Sequence, residues 1–413
     1  MKILFLSDSP NAPGYIPRVR YFIDYLRANG HSVDWISETE SNRKNDFLGT
    51  QCNGFPYLKG GKIEWLLKIF VNLLFDHKGR YFAKKAQHFF DINQYEVIVC
   101  STSFNAFPTT TAAYLASIYN KPLIIDFRDI LEQTPIKSNH IFRHKTPKIF
   151  GEIIAKLYKY RQISRRNKSL TKATSLISVS RWHRSFLQQF CPDTHIIYNG
   201  FDERQFKKQE IISPYFCLSY FGELMNTNLR HPHVFFQAIQ NLKNKGLLIN
   251  ELRIDWFVND ESRLMIEKLS EEFDIVEFMR YRKMIQGDIL AKEMNKASIL
   301  LIFSHNPKVY GYNGIMTTKF FEYVGASRPI LLSPNNGDEL SNTLENISAG
   351  IASSDILTIE KFILEKQKEW LNNRYVATHI SEENRINFAR YNGAKLLEKI
   401  IKDISTDTTF KRN

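Results

Sequence analysis

The stretch GYNGIMTTKFFEYVGASRPI, residues 311–330 of a 413-residue chain, joins a glycine-containing loop to a short helical pattern, a turn and a buried strand. Free N–H groups at the start of such a helix can bind phosphate oxygens, and the helix dipole strengthens that binding. Lys319 adds a mobile positive charge, and Glu322 places a carboxylate one turn later. The stretch therefore predicts a loop, helix and strand with an anion site at the helix start.

The same alternation of short apolar runs and longer amphipathic stretches extends outward to both ends of the chain. Strand candidates lie at 2–7, 32–37, 95–102, 122–126, 175–180, 195–198, 216–221, 252–258, 276–280, 299–303 and 329–333. Helical patterns separate most of them, which is typical of parallel strands joined by crossover helices. The sequence therefore predicts an α/β protein with two doubly wound parallel-sheet domains in tandem.

The domain boundary is predicted in the polar segment 202–215, which ends in Ser213-Pro214 before a new strand begins. We assign residues 1–205 to an N-terminal domain and 206–380 to a C-terminal domain. A last helical pattern, 381–404, starts at Ser381, a residue type favoured at helix N-caps. Ligands of parallel sheets bind beyond the carboxyl ends of the strands, so the loops that follow strands are the candidate site.

The net charge of +13 indicates an anionic partner, and the alternative is a solubilising charge with no particular target. Residues 59–90 concentrate basic side chains around Trp65, Phe70 and Phe75, and residues 145–172 contain nine Lys and Arg against one Glu. This pattern fits contact with an anionic membrane surface, or helices with one apolar face toward the core and the opposite face in solvent. No nucleic-acid-binding module is recognisable, so nucleic acid is not an expected partner. No apolar run reaches the ~20 residues of a membrane-spanning helix. We expect a cytoplasmic protein, with peripheral contact to the inner face of the plasma membrane as a hypothesis.

The four cysteines form no C-x-x-C pair, so no metal site is predicted. The loop after the first strand, residues 7–15, contains Gly14, where a phosphate could approach the backbone near a helix start. An ordinary strand-to-helix turn is the alternative. The chain has neither G-x-G-x-x-G nor G-x-x-x-x-G-K-[ST], which argues against a dinucleotide dehydrogenase and a P-loop NTPase.

Three charged residues, Asp126, Arg128 and Asp129, lie at the carboxyl end of the predicted strand 122–126. Asp129 is a candidate to hydrogen-bond sugar hydroxyls or to take a proton, and Arg128 to stabilise a phosphate or to pin Asp126 in an ion pair. The alternative is an Arg–Asp pair that only fixes the loop. In the second half, Gly222 ends a strand and Arg230 is the cation available to a pyrophosphate there.

The run KFFEYVGASRPIL, residues 319–331, resembles the donor-binding signature of GT-B glycosyltransferases, specifically retaining family 4 of the group 1 type. The segments 30–33, 126–129, 175–180 and 198–202 resemble further parts of that family in the same order. The resemblance implies two Rossmann-like domains with an interdomain cleft. It places the nucleotide-sugar donor on the C-terminal domain and the acceptor on the N-terminal one.

The resemblance also implies roles for single residues. Glu322 would hold the ribose of the donor and Tyr281 would lie near its base, just after a strand. The diphosphate would contact Arg230 and a segment that includes Gly314, Ile315, Thr317, Thr318 and Lys319. Gly14 is a further donor-binding candidate, and Asp129 and Arg128 are the catalytic candidates. No metal and no cofactor are implied, because the nucleotide sugar is a substrate.

The implied activity is retaining transfer of a sugar from a UDP- or GDP-sugar to a saccharide or lipid-linked saccharide, in surface-polysaccharide biosynthesis. Two positions depart from the family pattern. The first of two glutamates spaced eight apart is Gly314 here, and the arginine that usually follows the glycine is Glu223. These departures keep open a catalytically silent nucleotide-sugar-binding protein or partner subunit. An epimerase on the same fold is a further alternative.

Overall fold

The computed structural model describes residues 1–8, 18–38, 53–54, 57, 62–102, 106–133, 148–224, 230–304 and 314–406. Its contacts divide the chain into two compact units. The first unit comprises Met1–Tyr198 and Gly393–Asn413, and the second comprises Asn199–Asn392.

The first unit is built on a seven-stranded, all-parallel sheet with the strand order β3-β2-β1-β4-β5-β6-β7. Its strands are β1 (Lys2–Ser7), β2 (Ser32–Ser37), β3 (Asn53–Gly54), β4 (Val97–Thr102), β5 (Leu123–Phe127), β6 (Ser175–Ser178) and β7 (Thr194–Ile196). Its helices are α1 (Arg18–Ala28), α2 (Lys62–Phe75), α3 (His77–Phe89), α4 (Thr109–Tyr119), α5 (Lys148–Leu170) and α6 (Arg181–Leu187). Most of the final helix of the chain also belongs to this unit.

The second unit repeats the plan with a six-stranded parallel sheet in the order β10-β9-β8-β11-β12-β13. Its strands are β8 (Phe216–Phe221), β9 (Leu252–Val258), β10 (Met279–Lys283), β11 (Ile299–Phe303), β12 (Ile330–Ser333) and β13 (Gly350–Ala352). Its helices are α7 (His233–Asn244), α8 (Asp260–Glu272), α9 (Gly287–Lys296), α10 (Thr318–Ala326), α11 (Glu339–Asn346), α12 (Ile356–Asn373) and α13 (Glu382–Asn387), and α14 (Arg390–Thr406) follows.

Burial of the central strands explains why these segments are apolar throughout. In β1, Leu4 and Leu6 join one core cluster while Ile3 and Phe5 join another, because successive side chains point to opposite faces of a sheet. Helices cover both faces, so neither set of residues meets water. The second cluster also takes in Leu397 of α14. The predicted α/β class and parallel sheets are confirmed.

One strand begins later than the sequence predicts. The sequence predicts a strand over residues 276–280, but Val276–Phe278 forms a 3-10 turn and β10 starts at Met279. Asp274 adopts a left-handed conformation at φ 52°, and the tight turn after it delays pairing until Met279 aligns with Ile254. Tyr281 therefore lies within the strand and not just after it.

The predicted helix 381–404 is two helices, α13 and α14. Between them, the Phe201 N–H donates to the Phe388 carbonyl at 3.0 Å, and the Arg390 N–H donates to the Phe201 carbonyl at 2.9 Å. This bridge joins Phe201 to the break between the two helices. Phe201 and the break both belong to the second unit. The division between the units consequently falls at Tyr198 and Asn199, and not at 205 and 206, and only Gly393 onward returns to the first unit. Ser381 caps α13 as predicted, accepting from the Asn384 N–H at 3.1 Å.

A buried ion pair ties the first unit together. Arg18, at the start of α1, donates from Nη2 and Nε to the Asp126 carboxylate at 2.7 and 3.2 Å, and both side chains are almost fully buried. The Ser101 hydroxyl donates to the same carboxylate at 2.8 Å. Arg18 Nη1 also donates to the carbonyls of Ile197 and Tyr198. The predicted alternative in which Arg128 pairs with Asp126 is wrong, because Arg18 occupies that carboxylate.

Asp126→Leu should lower the free energy of unfolding by about 3–5 kcal/mol, since it leaves the Arg18 charge buried without a partner. The urea midpoint of the full-length chain measures the loss. Glu267→Ala, which breaks the exposed pair with Arg263 in the second unit, is the control and should cost less than about 1 kcal/mol. The double variant Arg18→Met/Asp126→Leu should recover part of the loss. A double variant no more stable than Asp126→Leu would contradict the assigned cause.

Candidate functional site

The carboxyl end of β8 meets the first turn of α10 in the second unit. Gly222 follows β8 with φ +97°, a conformation that L side chains rarely adopt. A Cβ atom at Gly222 would stand 2.9 Å from Cε and 3.0 Å from Nζ of Lys319. Lys319 also places its ammonium 5.4 Å from the centre of the Tyr220 ring. The absence of a side chain at Gly222 thus makes the space in which the Lys319 amino group packs.

Positive charges converge on this point. Burial, together with the positive charge of Arg230, lowers the pKa of Lys319 to about 8, while Glu322 and Glu223 oppose the shift. Arg230 also interacts with the Tyr220 hydroxyl. The structure therefore brings together Lys319 and Arg230, as predicted from the sequence. The two positive charges repel each other, and an anion bound beside them would offset that repulsion.

Glu322 lies one turn further along α10 and is half-buried. Burial raises the pKa of its carboxyl group, and the charges of Arg390 and Lys319 act in the opposite direction. Arg390 is a residue that sequence reasoning missed. Its side chain is buried and its Nε donates to the Asn199 carbonyl at 3.3 Å. No local motif indicates it, because it comes from a separate helix 68 positions after Glu322.

The loop before α10 is held by a carboxylate. Gly314 has φ +69°, and its N–H donates to both oxygens of Asp338 at 3.0 Å. Asp338 also accepts from the Glu339 N–H at 2.7 Å and so caps α11. The Gly314 amide, predicted as a diphosphate contact, is occupied by this carboxylate in the structure. Asp338 was missed, although an aspartate after Gly337 is a typical N-cap signal.

The rest of the predicted phosphate segment lies at the start of α10. Thr317 is the N-cap residue, with extended backbone at φ −62° and ψ 142°, and its side chain makes no capping hydrogen bond within the described part of the chain. Ile315, Thr317 and Thr318 are half-buried. The Phe221 N–H donates to the Tyr323 hydroxyl at 3.3 Å and anchors α10 against β8. The helix start is thereby fixed beside Gly222.

Tyr281 is not brought to this cluster by any contact among the described residues. It lies in β10, at one edge of the sheet, and its hydroxyl is 3.4 Å from the Ser270 hydroxyl of α8. The Arg263 guanidinium lies 5.3 Å from the centre of its ring. Because β10 begins three residues later than predicted, Tyr281 packs against α8 from within the strand.

In the first unit, Arg128 fixes two loops. Its Nη2 donates to both Asp8 oxygens at 2.9 Å, joining the residue after β1 to the residue after β5. Its backbone N–H donates to the Thr102 carbonyl at 3.1 Å. Arg128 is buried, whereas the Asp129 side chain is exposed at the same carboxyl edge of the sheet. Gly14 lies outside the described residues.

No group of three or more His, Cys, Asp or Glu side chains that could hold a metal ion occurs among the described residues. In the same part of the chain, no helix is both long and apolar enough to cross a membrane.

Comparison with known proteins identifies the architecture. No protein-family model and no curated protein sequence matches the chain. Solved structures do match over nearly its whole length. HepE of Anabaena in complex with UDP-glucose is 13% identical, with a TM-score of 0.63, over 98% of this chain and 100% of that one. A glycosyltransferase from Rickettsia africae is 11% identical, with a TM-score of 0.65, over 98% and 99% of the two chains.

A third similar structure is the sucrose-phosphate synthase of Thermosynechococcus elongatus, which is 12% identical with a TM-score of 0.61 over 98% of both chains. The chain has the GT-B fold. The fold predicted from the sequence is confirmed, with one Rossmann-like parallel sheet in each unit. Membership of family 4 stays a prediction.

Lys319→Met should raise the free energy of unfolding by about 1 kcal/mol or more at pH 7, since it removes a desolvated charge. The lowered pKa of Lys319 determines how the stability gain of Lys319→Met depends on pH. Below about pH 8 the amine is charged in both the folded and the unfolded state, so the penalty is complete. Between pH 8 and the ordinary lysine value near 10.5, the folded state sheds its proton first and the gain shrinks.

Urea midpoints at pH 7 and pH 9 measure this difference. Lys292→Met, at an exposed position of α9, is the matched control and should show no comparable gain at either pH. A Lys319→Met gain that stays constant from pH 7 to pH 9 would show that the desolvated charge is not its source.

Proposed function

We propose that the chain is a glycosyltransferase that moves a sugar from a UDP- or GDP-sugar to a saccharide or lipid-linked saccharide. The observation that carries the proposal is the cluster of Lys319 and Arg230 at the start of α10, with Glu322 one turn beyond. The similar HepE structure is a complex with UDP-glucose, which supports a nucleotide-sugar donor for the same fold.

The electrostatics of the cluster suit a diphosphate. Lys319 and Arg230 oppose each other's charge, and the N-terminus of α10 adds the positive end of a helix dipole. A diphosphate beside them would remove the repulsion and raise the pKa of Lys319 toward its ordinary value. Ionised Glu322 would accept hydrogen bonds from the two ribose hydroxyls. Arg390 supports that role, because its charge favours the ionised carboxylate.

The same groups suit the transfer step. The bond between the anomeric carbon of the sugar and the diphosphate oxygen breaks, and negative charge develops on the departing phosphate. Lys319 and Arg230 would stabilise that charge in place of a metal ion. The acceptor hydroxyl forms the new bond to the anomeric carbon and gives up its proton. We propose transfer with retention, in which the departing phosphate takes that proton, while Asp129 contacts acceptor hydroxyls.

The second candidate is a catalytically silent nucleotide-sugar-binding protein or partner subunit. Two observations favour it. Gly314 stands where the family pattern has a glutamate, and its amide is held by Asp338. Exposed Glu223 stands where the pattern has an arginine, so one cation of the usual set is replaced by an anion.

We further propose peripheral contact with an anionic membrane, which would suit a lipid-linked acceptor. Helix α2 exposes an apolar stripe at helical spacing, and α5 exposes another. The stripe of α2 consists of Leu67, Phe70, Val71 and Leu74, and that of α5 consists of Ile153, Leu157 and Tyr160. Basic residues share both helices. Apolar and cationic side chains together are what holds amphipathic helices at a lipid interface.

Donor binding is tested by thermal unfolding of the full-length chain with UDP, GDP and their sugars. A ligand that binds the folded state raises the transition temperature by mass action. Arg230→Ala and Glu322→Ala should each weaken binding by about ten-fold or more, since each removes a hydrogen bond to or from a charged group. Glu345→Ala and Lys361→Ala, at exposed positions of the same unit, should bind normally. The absence of a shift with every nucleotide would refute the proposed donor site.

Turnover separates the two candidate functions. With donor and a saccharide acceptor, the proposed enzyme should form product in EDTA at an undiminished rate, and NMR should show the donor's anomeric configuration in the product. Glu322→Ala should lose this turnover. Wild-type chain that binds the donor and neither transfers nor hydrolyses it would favour the silent binder. Loss of transfer in EDTA would contradict metal independence, and an inverted product would contradict retention.

A further inference from the structure

A cationic cavity of about 230 Å³ lies in the first unit, between the start of α3, the second turn of α4 and the last turns of α5. Its wall carries the side chains of Arg80, Arg165, Lys168 and Lys172, against a single carboxylate from Asp76. It is separate from the Lys319 cluster, which belongs to the other unit. The proposed transfer reaction uses none of these residues.

Two of the cations are fixed by the fold. Arg165 donates from Nη1 and Nη2 to the carbonyls of Asn72 and Leu73, at 2.5 and 2.7 Å. These are carbonyls of the last turn of α2, so Arg165 joins α2 to α5. The Lys172 Nζ donates to the Ser117 hydroxyl of α4 at 3.2 Å. The cavity is therefore held in shape by contacts between three helices.

The other charged groups leave the cavity with a positive balance. Arg80 and Lys168 are exposed at its rim. Burial raises the pKa of the Asp76 carboxyl group, while the charge of Arg165 and the nearby Thr110 hydroxyl and Gly79 N–H lower it. Even with Asp76 ionised, four cations face one carboxylate. Such a wall fits an anion with several oxygens, because guanidinium groups bind phosphate oxygens through paired N–H groups.

The surroundings of the cavity indicate where that anion comes from. Asp76 directly follows Phe75, the last residue of α2, whose side chain is 63% exposed. On α5, the exposed stripe that contains Tyr160 continues through Arg161 and Ser164 to Lys168 at the rim. Apolar side chains exposed on both helices would lie against acyl chains while the cations meet head groups. A free phosphate in solution gives no reason for such exposure.

We propose that this cavity binds the phosphate monoester head group of a membrane lipid. The inference deepens the membrane contact proposed above and rests on it. It predicts a preference for a head group that presents a terminal phosphate over one that offers only the same surface charge.

The test is flotation of the full-length chain with phosphatidylcholine vesicles that contain phosphatidic acid, or phosphatidylserine at equal surface charge. Arg80→Gln/Lys168→Gln/Lys172→Gln removes from the cavity one cation of α3, one of α5 and Lys172, which lies two residues after α5. The matched control, Lys84→Gln/Lys156→Gln/Arg161→Gln, removes exposed cations from the same two helices outside it. Each basic side chain near an anionic surface is worth about five-fold in binding.

On phosphatidic acid vesicles the cavity variant should bind at least about ten-fold more weakly than the matched control, because it loses charge-assisted hydrogen bonds to the terminal phosphate that the control, with the same loss of net charge, keeps. On phosphatidylserine vesicles the two variants should be equal. Equal losses on both vesicles would overturn the proposal in favour of diffuse surface charge. Binding of glycerol phosphate in solution without binding to phosphatidic acid vesicles would overturn the lipid source.

The same preparations separate this proposal from the donor site. The cavity variant should keep the wild-type thermal shift with UDP, since its substitutions lie in the other unit. If the wild type shows no such shift, the proposed activity fails, while the vesicle comparison still decides the cavity.

Discussion

The buried pair of Arg18 and Asp126 is the constraint on which the first unit depends. Removing two charges from water is costly, and this pair offsets the cost with a two-point contact, a hydroxyl from Ser101 and two backbone carbonyls. Those carbonyls belong to Ile197 and Tyr198, the last residues before the second unit begins. One guanidinium thus fixes the start of α1, the end of β5 and the point where the chain leaves the sheet.

In the second unit, by contrast, the charges near Gly222 include two neighbouring cations and not a closed ion pair. Around Gly222 the fold places like charges together and leaves Lys319 desolvated, so its pKa is low. A core selected only for stability would not keep a lysine there. A binding site that must hold a diphosphate would, because the ligand supplies the missing negative charge. The cost to the folded chain supports the proposal that this helix start serves binding.

The sequence predicts the sheets because the burial of parallel strands on both faces leaves long apolar runs that are visible without alignment. It predicts Lys319 and Glu322 because both fall on one short helix, where spacing alone sets their separation. It does not predict Arg18 with Asp126, Arg128 with Asp8, or Gly314 with Asp338, since these partners are 108, 120 and 24 positions apart. The shift of Tyr281 into β10 has a local cause, the left-handed turn at Asp274.

The Lys319 cluster and the cavity of the first unit both carry positive charge, but that charge is buried in the first and largely exposed in the second. Lys319 is desolvated and backed by a helix start, so its interaction with an anion is short-ranged and little screened by salt. Arg80 and Lys168 are exposed, so their attraction extends into solution and weakens as salt rises. The first arrangement favours selection of a small anionic ligand. The second favours capture of a surface that is already densely charged, which is how a membrane presents its phosphates.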